Sequence, residues 1–481
     1  MTASIATTTE PAATDAITAL QAAVPRIAAW LQYRAWYTRV PGVQYAIWFD
    51  GAVQTSGAFG FADLAGGRRM TDRHLFRVAS HSKTFTATAV LQLAERGTLR
   101  LDDRVAEHLP ELAGTPAGAV TVRELLEHGG GILRDGVDSD HWQHARPFPD
   151  EARLIEIAQL DGIKAQPNER FGYSNIGYSL LGLIVARASG IPFREYLAAN
   201  IAEPLGLRDT TADLVADRGA DYATGYSGLH TARDRMPIPH VDTGAMSAAT
   251  GVTSTARDLV RYLAAHRVGS GELLSDESKR LQQRGLWRSG DDADQEYGLG
   301  FVIERIAGRR VIGHSGGYPG HITKSLIDPE DGIAVSVLTN AVDGPASELA
   351  AGVFTMLDAA LQRSARLSFT APREPVDATR FEGRFANLWG VLDVFRLGER
   401  LLAHSPTAPA PLTRPIELTV EDDTTLRVTA GDGYGAVGET LTYEFDADGT
   451  AVSLRGAGGM SWWPFDVDAD GFRVPWVQRG E

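Results

Sequence analysis

Two hydrophobic rhythms alternate along the chain. From Thr14 to Tyr37, apolar residues fall at Ile17, Leu20, Val24, Ile27 and Leu31, the spacing of one helix face. Residues 1–14 carry no such pattern and are expected to be disordered. Val43–Phe49 and Ala52–Phe61 are apolar-rich runs flanking Asp50-Gly51, a hairpin signal. Ser80–Arg96 predicts the clearest helix, with Ala87, Val90, Leu91 and Ala94 on one face and a stop at Gly97. Further helices are expected over 121–135, running into Gly129-Gly130-Gly131, over Phe171–Ala188, ending at Gly190, and over Thr253–His266, capped by Ser254 or Thr255. Beyond Gly298 the rhythm shortens. Gly300–Ile306, Arg310–His314, Ile322–Asp328 and Ile333–Leu338 read as strands, and Ala346–Arg363 closes the region as a helix.

Helices inserted between an early hairpin and a late meander predict an α+β domain over residues 15–366. It would be a three-layer α/β/α arrangement, its antiparallel sheet built from both ends of the segment. Residues 367–379 predict a linker. Residues 380–481 show short alternating runs broken by Gly398, Asp422-Asp423, Asp432-Gly433 and Asp448-Gly449. They predict a small all-β domain of about eight strands, a barrel or a sandwich, with Trp462 and Trp463 in its core.

Composition narrows the function classes. The chain has 481 residues, 43% of them apolar, enough for more than one buried core. A net charge of −15 repels nucleic-acid phosphates and anionic lipid. The absence of cysteine excludes disulfides, thiolate metal sites and a cysteine nucleophile. Met1–Ala23 has no basic leader followed by an apolar run, and no stretch approaches the roughly 18 apolar residues of a membrane helix. A cytoplasmic enzyme is the expectation.

Three short segments carry candidate chemistry. In Ser80-His81-Ser82-Lys83 the serine and lysine sit three apart, so a helix brings hydroxyl and amine together. A helix start also favours developing negative charge, and a desolvated lysine can serve as the base that a serine nucleophile needs. Tyr173-Ser174-Asn175 precedes an apolar helix. His314-Ser315-Gly316-Gly317 lies between two predicted strands, where glycines let the backbone approach a ligand.

Taken together and in this order, the segments resemble the motif set of the penicillin-recognising serine hydrolases. With Tyr-Ser-Asn in the middle, the chain looks like the branch holding class C β-lactamases, DD-carboxypeptidases, D-aminopeptidases and family VIII esterases. Phe76-Arg77-Val78-Ala79-Ser80, Leu125-Leu126-Glu127-His128, and Gly313–Gly320 followed by Asp328-Pro329 resemble flanking phrases of that family. The resemblance covers roughly residues 20–365 and implies a β-lactamase/DD-peptidase-like fold. It makes Ser80 the nucleophile, with Lys83 and Tyr173 sharing its proton and Tyr173 kept partly phenolate by Lys83. Asn175 would hold Lys83 or the substrate amide. His314, standing where many relatives have lysine, would polarise Tyr173 or meet a substrate carboxylate. Ser315 and Gly316 would line the substrate site, and the N–H groups of Ser80 and Gly317 would form the oxyanion hole. The histidine points towards an esterase or D-aminopeptidase rather than an efficient β-lactamase. No metal or organic cofactor is called for. The expected partner is a small ester, amide or short peptide, without nucleic acid or membrane, and self-association into a homo-oligomer stays open.

Two other readings compete. Gly313-His314-Ser315-Gly316-Gly317 matches G-x-S-x-G, the nucleophile elbow of α/β-hydrolases, which would make Ser315 the nucleophile. The second is a non-catalytic protein binding peptidoglycan fragments or β-lactams on the same fold. Asp466-Val467-Asp468-Ala469-Asp470-Gly471 resembles half a calcium loop but has Val477 at the closing position, so a hairpin turn is expected. His141, Trp142 and His144 predict a loop near the site mouth.

Overall fold

The computed structural model describes residues 13–468 apart from 161, 231–232, 290–294, 362–376, 399, 414, 432–436 and 457–458. Most of the expected disordered start and of the linker therefore lies outside the described residues, as does the second half of the calcium-like loop. Two compact units divide the chain: Arg39–Ala350, and Met1–Thr38 with Ala351–Glu481. The N-terminal helix α1 (Ala13–Tyr37) falls in the second.

In the first unit, β1 (Gly42–Phe49) and β2 (Ala52–Asp63) form the expected hairpin. Asp50 and Gly51 both take positive φ, 51° and 72°, which a two-residue turn matched to strand twist demands. The helices α2 (Ser82–Glu95), α3 (Asn175–Ser189) and α4 (Ala256–Ala265) follow. The late meander is β3 (Val302–Ile306), β4 (Arg309–Tyr318), β5 (His321–Asp328) and β6 (Ile333–Thr339), and α5 (Ala346–Leu361) comes after it, passing into the second unit at Ala351. The antiparallel sheet runs β2-β1-β6-β5-β4-β3. Arg68–Arg69 adds an edge beside β2, and Glu296–Tyr297 and Trp287–Arg288 extend the other side to make nine strands. β1 joins β6 with Val43 opposite Thr339, so the sheet is assembled from both ends, as expected.

Helix boundaries shift from the sequence expectation, and the shifts matter. Ser80 sits not in α2 but in a 3-10 turn, Ala79–His81, directly before it. Every residue from Ser82 to Leu93 is buried, so α2 is a central helix rather than an amphipathic one. Its hydroxyls find carbonyls inside, Thr86 bonding Ala248 O and Thr88 bonding Thr84 O. The helix expected over 121–135 is only Val122–Leu126, opened by a Thr121/Glu124 capping box. The α3 helix begins at Asn175 because Ser174 caps it, accepting from Gly177 N, which leaves Phe171–Tyr173 irregular. Thr253–Ser254 is a short strand paired with Phe76–Arg77, and Thr255 caps α4. Among the described residues no single helix is long and apolar enough to cross a membrane.

Two contacts fix the segment that carries Ser80. Arg77 is fully buried and pairs with Asp213 at 2.7 Å, donates to Val241 O at 3.1 Å and lies over the Tyr318 ring. Asp213 also accepts from the N–H groups of Thr243 and Leu214. Close by, β4 runs so near the turn that a Cβ on Gly316 would stand 2.2 Å from Val78 O. Only glycine permits that approach.

In the second unit, eight strands close into an antiparallel barrel: β7 (Gly383–Asn387), β8 (Gly390–Leu397), β9 (Arg400–His404), β10 (Ile416–Val420), β11 (Thr425–Ala430), β12 (Thr440–Phe445), β13 (Ala451–Arg455) and β14 (Ser461–Pro464). β7 and β14 seal it through Phe385 opposite Pro464. Alternate residues such as Leu426 and Val428 fill the interior, the period-two pattern read from sequence. Trp462 packs against this core while staying partly exposed. The α1 helix belongs here because Arg26 pairs with Glu382 and the Arg384 guanidinium lies over the Tyr33 ring.

Asp213→Ala leaves Arg77 buried and uncompensated, and is expected to cost about 3–5 kcal/mol, read as a lowered urea midpoint of the full chain. Gly316→Ala is expected to keep the far-UV circular dichroism while slowing fluorophosphonate labelling of Ser80 about 100-fold, because the turn must move.

Candidate active site

Ser80 lies at the floor of a cleft of about 410 Å³, together with Tyr173, Asn175, His314 and Gly317. The turn that presents it is strained and clamped. Ala79 has φ 48°, a left-handed value that costs an alanine roughly 1–2 kcal/mol. Surrounding bonds hold the conformation. Ser82 Oγ donates to Ala79 O at 2.6 Å and accepts from Val252 N at 2.9 Å. The His81 ring lies 2.9 Å from Val78 O through Nδ1 and 3.0 Å from Ser325 Oγ on β5 through Nε2. Burial pushes His81 down to about 4, so the clamp is a neutral one.

Lys83 is wholly buried one turn along. Its Nζ lies 2.6 Å from Asn175 Oδ1, 2.9 Å from Ala249 O and 3.2 Å from Ser80 Oγ. Burial drives its amine well below the usual lysine value, opposed by the Asp135 carboxylate and reinforced by Arg134. A neutral amine has two N–H groups and one lone pair. Ala249 O only accepts, and Asn175 presents its amide oxygen, so those two contacts consume both N–H groups. The lone pair is left facing the Ser80 hydroxyl. The Ala249 carbonyl is aimed by a π-helical turn, Ser247–Gly251, a distortion frequent at functional sites.

Tyr173 lines the cleft with Ser80, and its ring centroid is 4.7 Å from Lys83 Nζ. Burial pushes its phenol well above the ordinary value, more than the Ser80 hydrogen bond and Arg134 pull it down. Burial thus opposes the partly ionised Tyr173 expected from the sequence, and it disfavours the charge on Lys83 that would have held a phenolate. His128, in the Leu-Leu-x-His phrase, sits under this tyrosine with ring centroids 4.4 Å apart and accepts from Ser174 N at 3.1 Å.

His314 also departs from expectation. Its Nδ1 lies 2.6 Å from Ser315 O and must donate there, leaving Nε2 to accept from Tyr297 Oη at 3.3 Å. Burial holds it well below the normal histidine range, and Lys83 adds to this whenever its amine is protonated. It contacts Tyr297 rather than the Tyr173 hydroxyl, and a neutral ring offers no charge to a substrate carboxylate. Ser315 and Gly317 are exposed on β4 and line the cleft, whereas Gly316 is buried against Val78. β3 pairs β4 only as far as Gly313, so beyond His314 one edge of β4 has no strand partner among the described residues. Ser315 lies mid-strand, and the chain turns at Pro319-Gly320 straight into β5, with Tyr318 opposite His321. A nucleophile elbow needs a helix after its serine, so the Ser315 reading is excluded.

Sequence reasoning missed Arg134, Asp135 and Tyr297. Asp135 Oδ1 accepts from Asn175 Nδ2 at 2.6 Å and from Trp142 Nε1 at 3.0 Å, while Oδ2 pairs with Arg134 Nε at 3.1 Å. Trp142 lines the cleft, as expected for its loop. No motif flags Asp135, which lies 40 residues before Asn175 and meets it only in the fold.

Comparison with known proteins agrees with the geometry. The chain is 30% identical over 283 residues to "Penicillin-binding protein 4*" of Bacillus subtilis (strain 168), covering 56% of this chain and 61% of that protein's length. The fold is similar to an octameric penicillin-binding protein homologue from Pyrococcus abyssi, with a TM-score of 0.63, 24% identity, and 91% and 99% of the two chains covered. It is also similar to a D-amino acid amidase from Ochrobactrum anthropi SV3, with a TM-score of 0.56, 27% identity, and 70% and 99% covered. Residues 26–360 match the Beta-lactamase family model, and the chain belongs to that family.

Proposed function

We propose that the protein is a serine hydrolase that cleaves small esters or amides through an acyl-enzyme on Ser80. One observation carries this reading: the buried Lys83 amine, which burial pushes towards its neutral form, lies 3.2 Å from the Ser80 hydroxyl. As Ser80 Oγ bonds to the substrate carbonyl carbon, its proton passes to Lys83. The oxyanion is met by the N–H groups of Ser80 and Gly317, each such donor typically worth about 2.7–4 kcal/mol. Tyr173 gives its proton to the departing alcohol or amine as the carbonyl–heteroatom bond breaks. The site then holds a lysine ammonium beside a tyrosine phenolate. In the second half, water yields a proton to that phenolate and its oxygen attacks the acyl carbon. Ser80 leaves and recovers the proton held by Lys83.

The substrate class follows from the cleft. Similarity to a D-amino acid amidase supports amides of small acyl groups. The neutral His314 supports weak action, at most, on β-lactams that present a carboxylate to that strand. The exposed guanidinium of Arg134 lines the cleft, and among the described residues only its Nε has a hydrogen-bond partner. A substrate bearing an anionic group near the scissile bond would meet its two terminal amino groups.

Four outcomes test the reading. Ser80→Ala is expected to abolish both fluorophosphonate labelling and hydrolysis of p-nitrophenyl butyrate; full activity in that variant sinks the proposal. The value of kcat/KM is expected to rise with pH as Lys83 loses its proton, at a pH below the ordinary lysine value of 10.5, and to fall only where Tyr173 ionises above 10. Lys83→Arg keeps a cation that cannot deprotonate and is expected to lose about 10²–10⁴-fold at every pH up to 10. For Arg134→Ala, KM for mono-p-nitrophenyl glutarate is expected to rise about tenfold, the equivalent of 1.4 kcal/mol, with the neutral butyrate unaffected.

A further inference from the structure

We infer that Asp135 is a positioning residue whose carboxylate fixes the Asn175 amide, so that the amide oxygen rather than the nitrogen faces Lys83. The argument rests on the proposed role of Lys83 as the base for Ser80. An asparagine amide has two ends of nearly equal shape and opposite polarity. Which end faces a neighbour is decided by its other partners. Here one end meets Lys83 Nζ at 2.6 Å and the other meets Asp135 Oδ1 at 2.6 Å. An ionised carboxylate only accepts, so the NH2 end belongs to Asp135 and the oxygen to Lys83.

The consequence reaches the nucleophile. With the amide oxygen towards it, Lys83 must spend one N–H on Asn175, its other on Ala249 O, and present its lone pair to Ser80. With the amide reversed, the Asn175 NH2 would donate to Lys83 and consume that lone pair. The amine would be just as neutral and just as close to Ser80, yet unable to take its proton. Asp135 thus decides the direction in which the base points without touching Ser80.

The carboxylate is itself held for this task. Its side chain is 12% exposed. Trp142 Nε1 donates to the same oxygen that serves Asn175, and Arg134 Nε holds the other oxygen. The Asn175 backbone N–H also donates to Arg134 O at 2.9 Å, locking the start of α3 to the Arg134-Asp135 segment. Donors on both oxygens fix the carboxylate in rotation, as an orienting acceptor requires. Its negative charge also supports the protonated Lys83 that forms during reaction.

The test is a double-mutant cycle read as the rate of fluorophosphonate labelling of Ser80 across pH, using the full chain. Asp135→Ala and Asn175→Ala are each expected to slow labelling about 100-fold at the plateau. Together they are expected to be no slower than Asn175→Ala alone, because Asp135 acts through Asn175. Asp135→Asn keeps the shape and removes the charge. It is expected to slow labelling and to move the acid limb to lower pH, since Lys83 loses the anion that favours its protonated form; a purely structural role leaves that limb in place. Additive losses in the double variant overturn the inference. So does labelling of both Asp135 variants at the native rate and pH profile, while Ser80→Ala stays unlabelled. Retained labelling in Ser80→Ala overturns the nucleophile assignment instead, a result distinct from either.

Discussion

A lysine amine enclosed by protein must spend its two N–H groups and aim its one lone pair. Much of the first unit serves that constraint. Charging Lys83 in the interior is costly, so burial alone moves it towards the neutral form. Three separate pieces of chain then decide what the neutral amine does: the turn holding Ser80, the start of α3 with Asn175, and the π-helical turn carrying Ala249. None is adjacent to another in sequence. Their meeting at one nitrogen explains why α2 is buried on all sides and why Ser174 must cap α3 where it does.

The nucleophile turn is held as firmly as the base. Arg77 ties the approach to Asp213 and Tyr318, His81 ties the turn to β5, and Gly316 lets β4 press against Val78. The left-handed Ala79 is the cost of this placement, and the neighbouring bonds outweigh it. Rigidity here has a chemical purpose, since a hydroxyl that swung freely would lose its alignment with both Lys83 and the cleft.

Much of this was legible in the sequence, and the failures share one cause. Spacing alone put Ser80 beside Lys83, and alternation gave the sheet and a second all-β domain of about eight strands, a barrel or a sandwich, because these depend on local period. Helix starts were misplaced by up to four residues, as at α3, where the cap at Ser174 outweighed the apolar run. The partner of α1 was invisible, since an apolar stripe does not say what it packs against. The effect of burial on Tyr173 and the Tyr297 partner of His314 were not legible because both are tertiary properties. Asp135 and the Ala249 carbonyl escaped for the same reason. One is an ordinary acidic residue in a loop, and the other is backbone that any residue would supply.

The shortness of β3 has a consequence outside catalysis. Where its pairing stops at Gly313, β4 has no strand partner on that side from His314 to Tyr318 among the described residues, and bare strand edges are templates for unwanted pairing between molecules. This one is five residues long, contains two glycines and borders a cleft walled by Tyr173 and Trp142. An edge so short and so enclosed offers backbone groups to a small molecule while giving another chain's strand little to pair with.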